Sequence, residues 1–102
     1  MIKIDNDLKQ IIKKVCTDHF VDKLYLFGSA ISDKFDEGSD IDLVVEFSDK
    51  LDVLHFADNY FSLLNALKNI FQREIDLLSY RALKNPILIA EIDKSKVQLY
   101  AA

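Results

Sequence analysis

Aspartate interrupts two short apolar segments of the sequence, residues 40–43 (DIDL) and residues 74–77 (EIDL). Aspartate is unfavourable within strands, and a buried carboxylate is costly unless it has a partner, so its presence in such segments favours a functional role. Side chains alternate along a strand, and Asp40 and Asp42 are therefore predicted to point to the same face. The carboxylate of Asp76 can join them if the two strands are neighbours in the sheet.

Carboxylates that share a face repel one another unless a cation lies between them, and Mg2+ prefers one or two carboxylates together with substrate phosphate oxygens. We therefore predict that Asp40, Asp42 and Asp76 are the metal ligands and catalytic residues of a site for a nucleoside triphosphate with two Mg2+ ions. In such a site one ion lowers the pKa of an attacking hydroxyl, and the other neutralises the triphosphate and the departing pyrophosphate. Asp76 is predicted to orient and deprotonate the hydroxyl, through the metal or as a general base.

A glycine and a serine precede the first acidic segment and are suited to binding phosphates. Gly28 lets the chain turn sharply and brings backbone N–H groups close to a ligand, and Ser29 adds a hydroxyl donor at a predicted helix start. Together with Ser39, they are the predicted nucleotide-binding residues. Each part alone has a simpler interpretation, because Gly-Ser pairs are common in turns and an Asp-x-Asp often only begins a strand or caps a helix. The combination favours a site.

The surrounding segments have the hydrophobic patterns of a small α/β fold. Helices are predicted over 5–19, 51–71 and 82–92, strands over 23–27, 41–47, 74–79 and 97–100, and a helical turn followed by a loop over 29–39. Pro86 is tolerated only near the first turn of the third helix, and the last strand is expected at an edge. This order predicts an α/β (α+β) fold of one domain, residues 1–102, in which helices pack over a small mixed β-sheet.

Composition restricts the class of protein. The chain has 102 residues, of which 50% are hydrophobic, and only 2 Gly and 1 Pro, so one compact core without a linker is expected. The net charge is −4 with no basic stripe, and direct binding of nucleic acid is therefore not expected. Cys16 is predicted to pack as a small hydrophobe. The sequence shows neither a membrane span nor a signal-peptide pattern, which predicts a cytoplasmic location.

The stretch LFGSAISDKFDEGSDIDLVVEF resembles the signature of the DNA polymerase β-like nucleotidyltransferase superfamily, in which Gly-Ser precedes a loop, an Asp-x-Asp and a third acidic residue on another strand. Ten residues, 30–39, separate Ser29 from Asp40, which is the spacing of the minimal nucleotidyltransferases called MNT proteins. The resemblance extends to the first two helices, the strand carrying Asp76 and the ending NPILIAEIDKSKVQLY. It implies the nucleotidyltransferase fold and transfer of a nucleoside monophosphate to a hydroxyl.

The same resemblance implies a protein partner. Family members of this size are typically encoded with a HEPN-domain protein, and some act as antitoxins that transfer AMP from ATP to a tyrosine of that toxin. We accordingly expect Mg-ATP as substrate and a HEPN-domain toxin as acceptor, in a homo- or hetero-oligomer. The short chain also favours an acceptor surface on a second protein or subunit, because little sequence lies beyond the predicted catalytic core.

Two positions depart from the family pattern. Many relatives have arginines just after Gly-Ser, where this chain has Ala30 and Ser32. Lys34 or Arg73 could supply the missing positive charge, although an exposed basic side chain is more often solvated. Glu74 is expected to have a supporting or surface role rather than to bind metal directly.

Two other functions stay open at this level. A non-catalytic module would keep the fold and neutralise its partner by binding, which the missing arginines favour and the intact aspartates oppose. Modification of a small molecule, as in aminoglycoside-modifying relatives, would normally need more chain to build the acceptor pocket. A histidine metal site has little support because His19 and His55 are isolated from each other and from cysteine. The tyrosines are expected to serve in packing.

Overall fold

The computed structural model describes residues 2–31 and 38–102, which form a mixed four-stranded sheet and three helices. The strands are β1 (Val21–Phe27), β2 (Ile41–Phe47), β3 (Ile75–Ser79) and β4 (Val97–Ala101), and the helices are α1 (Asn6–Asp18), α2 (Phe56–Phe71) and α3 (Pro86–Ser95). The strand order is β3-β2-β1-β4, with β2 and β3 parallel and the other pairs antiparallel. The predicted fold class is therefore confirmed, and β4 is the edge strand that the sequence predicts.

The helix boundaries follow from local capping. At α1, the carboxylate of Asp5 accepts a hydrogen bond from the backbone N–H of Leu8 at 2.8 Å. At α3, the side chain of Asn85 accepts hydrogen bonds from two backbone N–H groups, and Pro86 is the first helical residue. The predicted start of this helix at residue 82 is wrong. Proline disfavours helical geometry in the residue before it, so the chain forms only a short 3-10 turn, Tyr80–Ala82, before the cap.

The long second helix also begins later than the sequence predicts. Residues Val53–His55 form a 3-10 turn, which the carboxylate of Asp52 caps by accepting from the backbone N–H of His55 at 2.9 Å, and α2 begins at Phe56. Apolar residues between Val53 and Ile70 form a broad stripe in the sequence, which predicts that this helix packs across the sheet. However, the side chains of Val53 and Phe61 are 91% and 59% exposed. The stripe is wider than the surface that the small sheet can cover.

The main hydrophobic core lies between α1, α2 and one face of the sheet. Strands β1 and β2 contribute alternate residues to this face, and the side chains that fill it are completely buried. They include Leu24, Leu26, Leu43 and Val45 from the sheet, Ile12 and Cys16 from α1, and Leu63 and Leu67 from α2. Cys16 thus packs as predicted, and burial raises the pKa of its thiol to about 12, so it stays neutral.

Helix α3 covers part of the opposite face, where Tyr25 and Val44 are buried. It is anchored by Asp93, whose carboxylate accepts hydrogen bonds from the Tyr80 hydroxyl at 3.0 Å and from the Lys96 ammonium at 3.0 Å. The Lys96 ammonium also lies 4.5 Å from the centroid of the Tyr25 ring. In the described residues, no helix is long and apolar enough to cross a membrane.

Replacing Leu67 by alanine tests the packing of α2. Leu67→Ala is expected to lower the free energy of unfolding by about 2–5 kcal/mol, because removing buried methyl groups leaves a cavity. Urea denaturation measures the loss as a shift in midpoint. Val53→Ala is the control, and its exposed side chain predicts a change of less than about 0.5 kcal/mol. Equal losses for the two variants would contradict this placement of α2.

Candidate active site

The sheet brings the predicted carboxylates to one edge. Asp42 of β2 and Asp76 of β3 are paired positions in the parallel ladder, so their side chains leave the same face of the sheet. Asp40 comes directly before β2 and is exposed, as is Asp76, whereas Asp42 is half-buried. This face is the one on which α3 packs, and the core residues Ile41 and Leu43 point to the other face.

Electrostatics shows that the three carboxylates interact. Partial burial raises the pKa of Asp42, and the negative charges of Asp76 and Asp40 raise it further. Within residues 2–31 and 38–102, no three Asp, Glu, His or Cys side chains are already arranged to hold a metal ion. The carboxylates are thus within electrostatic reach of one another without forming a ready ligand set. Because exposed side chains change rotamer readily, Asp40 and Asp76 can turn toward a cation.

Gly28 directly follows β1 and lies beside this acidic cluster. Its φ is +67°, and a Cβ atom added there would lie 2.5 Å from Oδ2 of Asp42. Only glycine fits such a position without strain, and the backbone therefore approaches the Asp42 carboxyl closely. The predicted helical turn is a 3-10 turn over Gly28–Ile31. The side chain of Ser29 and the whole of Ser32 and Lys34 lie outside the described residues.

Two hydrogen bonds join the segments that lead into β2 and β3. The Arg73 guanidinium donates to the backbone carbonyl of Ser39 at 3.1 Å, and the N–H of Ile41 donates to the carbonyl of Glu74 at 3.0 Å. A positive charge therefore lies next to the segment that carries Asp40. The Glu74 carboxylate forms an ion pair with Lys68 at 3.4 Å, which suits the supporting role expected for it.

The two histidines have local partners. His19 bonds through its two ring nitrogens to the Val15 carbonyl at 2.7 Å and to the Ser62 hydroxyl at 2.9 Å. His55 lies 2.7 Å from the Asp52 carboxylate at the start of the 3-10 turn. Neither contact involves the acidic cluster.

Tyr60 is the residue near the site that sequence reasoning missed. Its hydroxyl donates to the backbone carbonyl of Leu77 at 2.5 Å, one residue beyond Asp76. Burial raises the pKa of Tyr60, and the negative charge of Asp76 raises it further. The sequence carries no signal for this contact, because Tyr60 lies within the apolar stripe of α2 and looks like any packing tyrosine.

Comparison with known proteins agrees with this geometry. The family model described as polymerase beta, nucleotidyltransferase, matches residues 9–102. The chain therefore belongs to this family and is a nucleotidyltransferase, as its motifs indicate. A relative from Methanocaldococcus jannaschii, provisionally named a protein adenylyltransferase, is 30% identical over 100 residues, which are 94% of this chain and 98% of the relative.

Solved structures with the same fold include toxin–antitoxin proteins. One, a toxin–antitoxin crystallised with AMP-PNP, has a TM-score of 0.70 and 25% identity, covering 92% of this chain and 73% of that one. A second, provisionally described as a minimal nucleotidyltransferase, has a TM-score of 0.70 and 25% identity, covering 87% and 85%. A third, an MNT antitoxin in complex with a tri-AMPylated HEPN toxin from Shewanella oneidensis, has a TM-score of 0.62 and 24% identity, covering 92% and 70%.

Gly28→Ala tests the close approach of β1 to Asp42. We expect it to destabilise the protein through a steric clash with the Asp42 carboxyl and through the left-handed backbone, which alone amounts to about 1–2 kcal/mol for an L-residue. Measuring unfolding free energies for Gly28→Ala, Asp42→Ala and the double variant separates the two contributions. In the Asp42→Ala background the loss should shrink to the backbone contribution. An unchanged loss there would rule out the contact.

Proposed function

We propose that this nucleotidyltransferase transfers AMP from Mg-ATP to a tyrosine hydroxyl of a HEPN-domain toxin and thereby acts as the antitoxin of a cytoplasmic toxin–antitoxin pair. The observation that carries the proposal is the pairing of Asp42 with Asp76 on adjacent parallel strands, with Asp40 one step before β2 and the Gly28 turn against Asp42. This arrangement offers carboxylates to a metal–nucleotide complex and backbone groups to its phosphates.

The donor set fits Mg2+. Carboxylate oxygens are the ligands this ion prefers, and the raised pKa of Asp42, caused by burial and by the charges of Asp76 and Asp40, shows repulsion that a cation would relieve. Asp40, Asp42 and Asp76 would hold the metal, and Gly28, Ser29 and Ser39 would lie along the nucleotide. When bound, Mg2+ would neutralise charge on the triphosphate and on the departing pyrophosphate.

In the proposed transfer, the chain positions two reactants. The backbone at Gly28 can approach the phosphates because no Cβ intervenes. Asp76 accepts the proton of the acceptor hydroxyl, whose oxygen forms a bond to the α-phosphorus of ATP while the bond from that phosphorus to pyrophosphate breaks. The products are an AMP ester of the hydroxyl and free pyrophosphate. Asp76 suits the role of base because it is exposed at the open face of the sheet.

A protein acceptor is supported by the surface of the chain and by its relatives. Val53 and Leu54 are 91% and 89% exposed, and neighbouring exposed apolar side chains are typical of surfaces that contact other proteins. The M. jannaschii relative is named for transfer to protein, and the structure with AMP-PNP is a toxin–antitoxin.

The transfer is tested by incubating the chain with its HEPN-domain partner, Mg2+ and ATP labelled in the α-phosphate. Label is expected on a tyrosine of the partner, and Asp40→Asn, Asp42→Asn and Asp76→Asn are each expected to reduce the rate at least about 100-fold, because each removes a charge that the metal–nucleotide complex needs. Asp18→Asn is the control, since among the described residues that exposed carboxylate pairs with Lys14 on α1, and the change should leave the rate unchanged.

Two results would contradict the proposal in different ways. If the partner binds but takes up no label, and all three variants still neutralise it, the chain acts by binding alone. If label enters a small molecule and not the partner, the acceptor class is wrong.

Metal binding is tested separately by thermal unfolding with and without Mg2+. Without divalent metal, Asp42→Asn is expected to be more stable than the wild type at pH 7. The pKa of Asp42 is raised in the folded state, so its ionisation lowers stability as pH rises through that pKa, and the gain from asparagine should fade below the usual aspartate pKa. Mg2+ should raise the melting temperature of the wild type more than that of the variant. Equal shifts would show that Asp42 does not hold the metal.

A further inference from the structure

The outer edge of β3 receives a hydrogen bond from a side chain of α2. Among the described strands, β3 is the outermost one beyond β2, and its main chain therefore pairs with a described strand on one side only. The Glu74 carbonyl bonds to the N–H of Ile41 ahead of β2, and carbonyl directions alternate along a strand. The Leu77 carbonyl therefore faces away from β2, and the hydroxyl of Tyr60 donates a hydrogen bond to it.

The Tyr60 ring contacts two aromatic neighbours. Its ring stacks on Phe56 with centroids 6.4 Å apart and an angle of 17° between ring planes, and it meets Phe61 edge-on with centroids 5.2 Å apart. Its position on α2 is further supported by Leu63 and Leu67, which anchor the helix in the main core. The hydroxyl thus extends from a helix that is anchored in the main core to the strand edge.

Asp76 lies on β3 between two sets of contacts, one with β2 and one with Tyr60. On its inner side, β3 is paired with β2, which places Asp76 opposite Asp42. On its outer side, the next residue is bonded to Tyr60. Misplacing a catalytic group by about 1 Å can reduce a rate about 100-fold, so an edge strand that carries one benefits from a second point of attachment.

We propose that Tyr60 is a positioning residue for Asp76: its hydroxyl, by binding the Leu77 carbonyl on the open edge of β3, holds in register the strand that carries the third carboxylate of the site. Tyr60 touches neither the nucleotide nor the metal in this role. The proposal rests on the transfer function proposed above and adds to it a residue outside the acidic cluster.

Tyr60→Phe removes the hydroxyl while it keeps the ring and its aromatic contacts. Tyr80→Phe is the matched control, because it removes a tyrosine hydroxyl that bonds to the Asp93 side chain of α3 and not to the main chain of β3. For AMP transfer to the HEPN-domain partner, Tyr60→Phe should lower kcat on the order of 10-fold with KM for ATP within about 2-fold. Tyr80→Phe should leave both constants unchanged at a temperature where both variants are folded.

A second measurement does not depend on activity. In 13C NMR spectra of the chain alone, Tyr60→Phe should shift or broaden the Asp76 side-chain carboxyl signal, whereas Tyr80→Phe should leave it as in the wild type. An unaltered Asp76 signal in Tyr60→Phe would overturn the positioning role. So would a fall in kcat matched by Tyr80→Phe, or a rise in KM for ATP with kcat unchanged. If the wild type transfers no AMP, the proposed function fails, and the Asp76 signal alone decides the role of Tyr60.

Discussion

Repulsion between carboxylates is the constraint on which the arrangement of this molecule depends. Asp42 and Asp76 are paired across a parallel ladder, with Asp40 one step before β2, and the pKa of Asp42 is raised by partial burial and further by the charges of Asp76 and Asp40. Bringing these negative charges together costs free energy, which other parts of the fold must offset. Stability comes from the other face, where Ile41 and Leu43, which alternate with the aspartates along β2, are completely buried. The core and the acidic site therefore use opposite faces of the same strand.

Because side chains alternate along the strands, the helices pack on different faces of the sheet. Helices α1 and α2 cover the face opposite the aspartates and form the main core with it. Helix α3 covers the acidic face only around Tyr25 and Val44 and is fixed there by the contacts of Asp93 with Tyr80 and Lys96. The aspartates therefore lie on the face of the sheet that the helices cover less, with Asp40 and Asp76 exposed. An open site on a small fold needs this unequal coverage.

Sequence patterns predicted the features that depend on neighbouring residues in the chain and missed those that depend on how distant segments pack. The strands, the pairing of acidic residues and the Gly28 turn follow from alternation, spacing and residue type. The start of α3 at Pro86 could also have been predicted from the sequence, because Asn85 followed by Pro86 is a local signal for a helix start. The exposure of Val53 could not, because the pattern shows an apolar stripe without showing how much sheet can cover it. The contact of the Tyr60 hydroxyl could not be predicted either, because it depends on how α2 packs against β3.

The placement of the basic residues bears on how the acidic cluster is balanced. The sequence has two arginines. The guanidinium of Arg81 forms an ion pair with the Asp49 carboxylate at 2.6 Å. Lys96 is also paired, because its ammonium is bonded to Asp93 and lies over the Tyr25 ring. Arg73 is the arginine that reaches the acidic edge, and it does so through the Ser39 carbonyl. The Arg73 guanidinium, bonded to the main chain at Ser39, therefore places a positive charge beside the segment that carries Asp40.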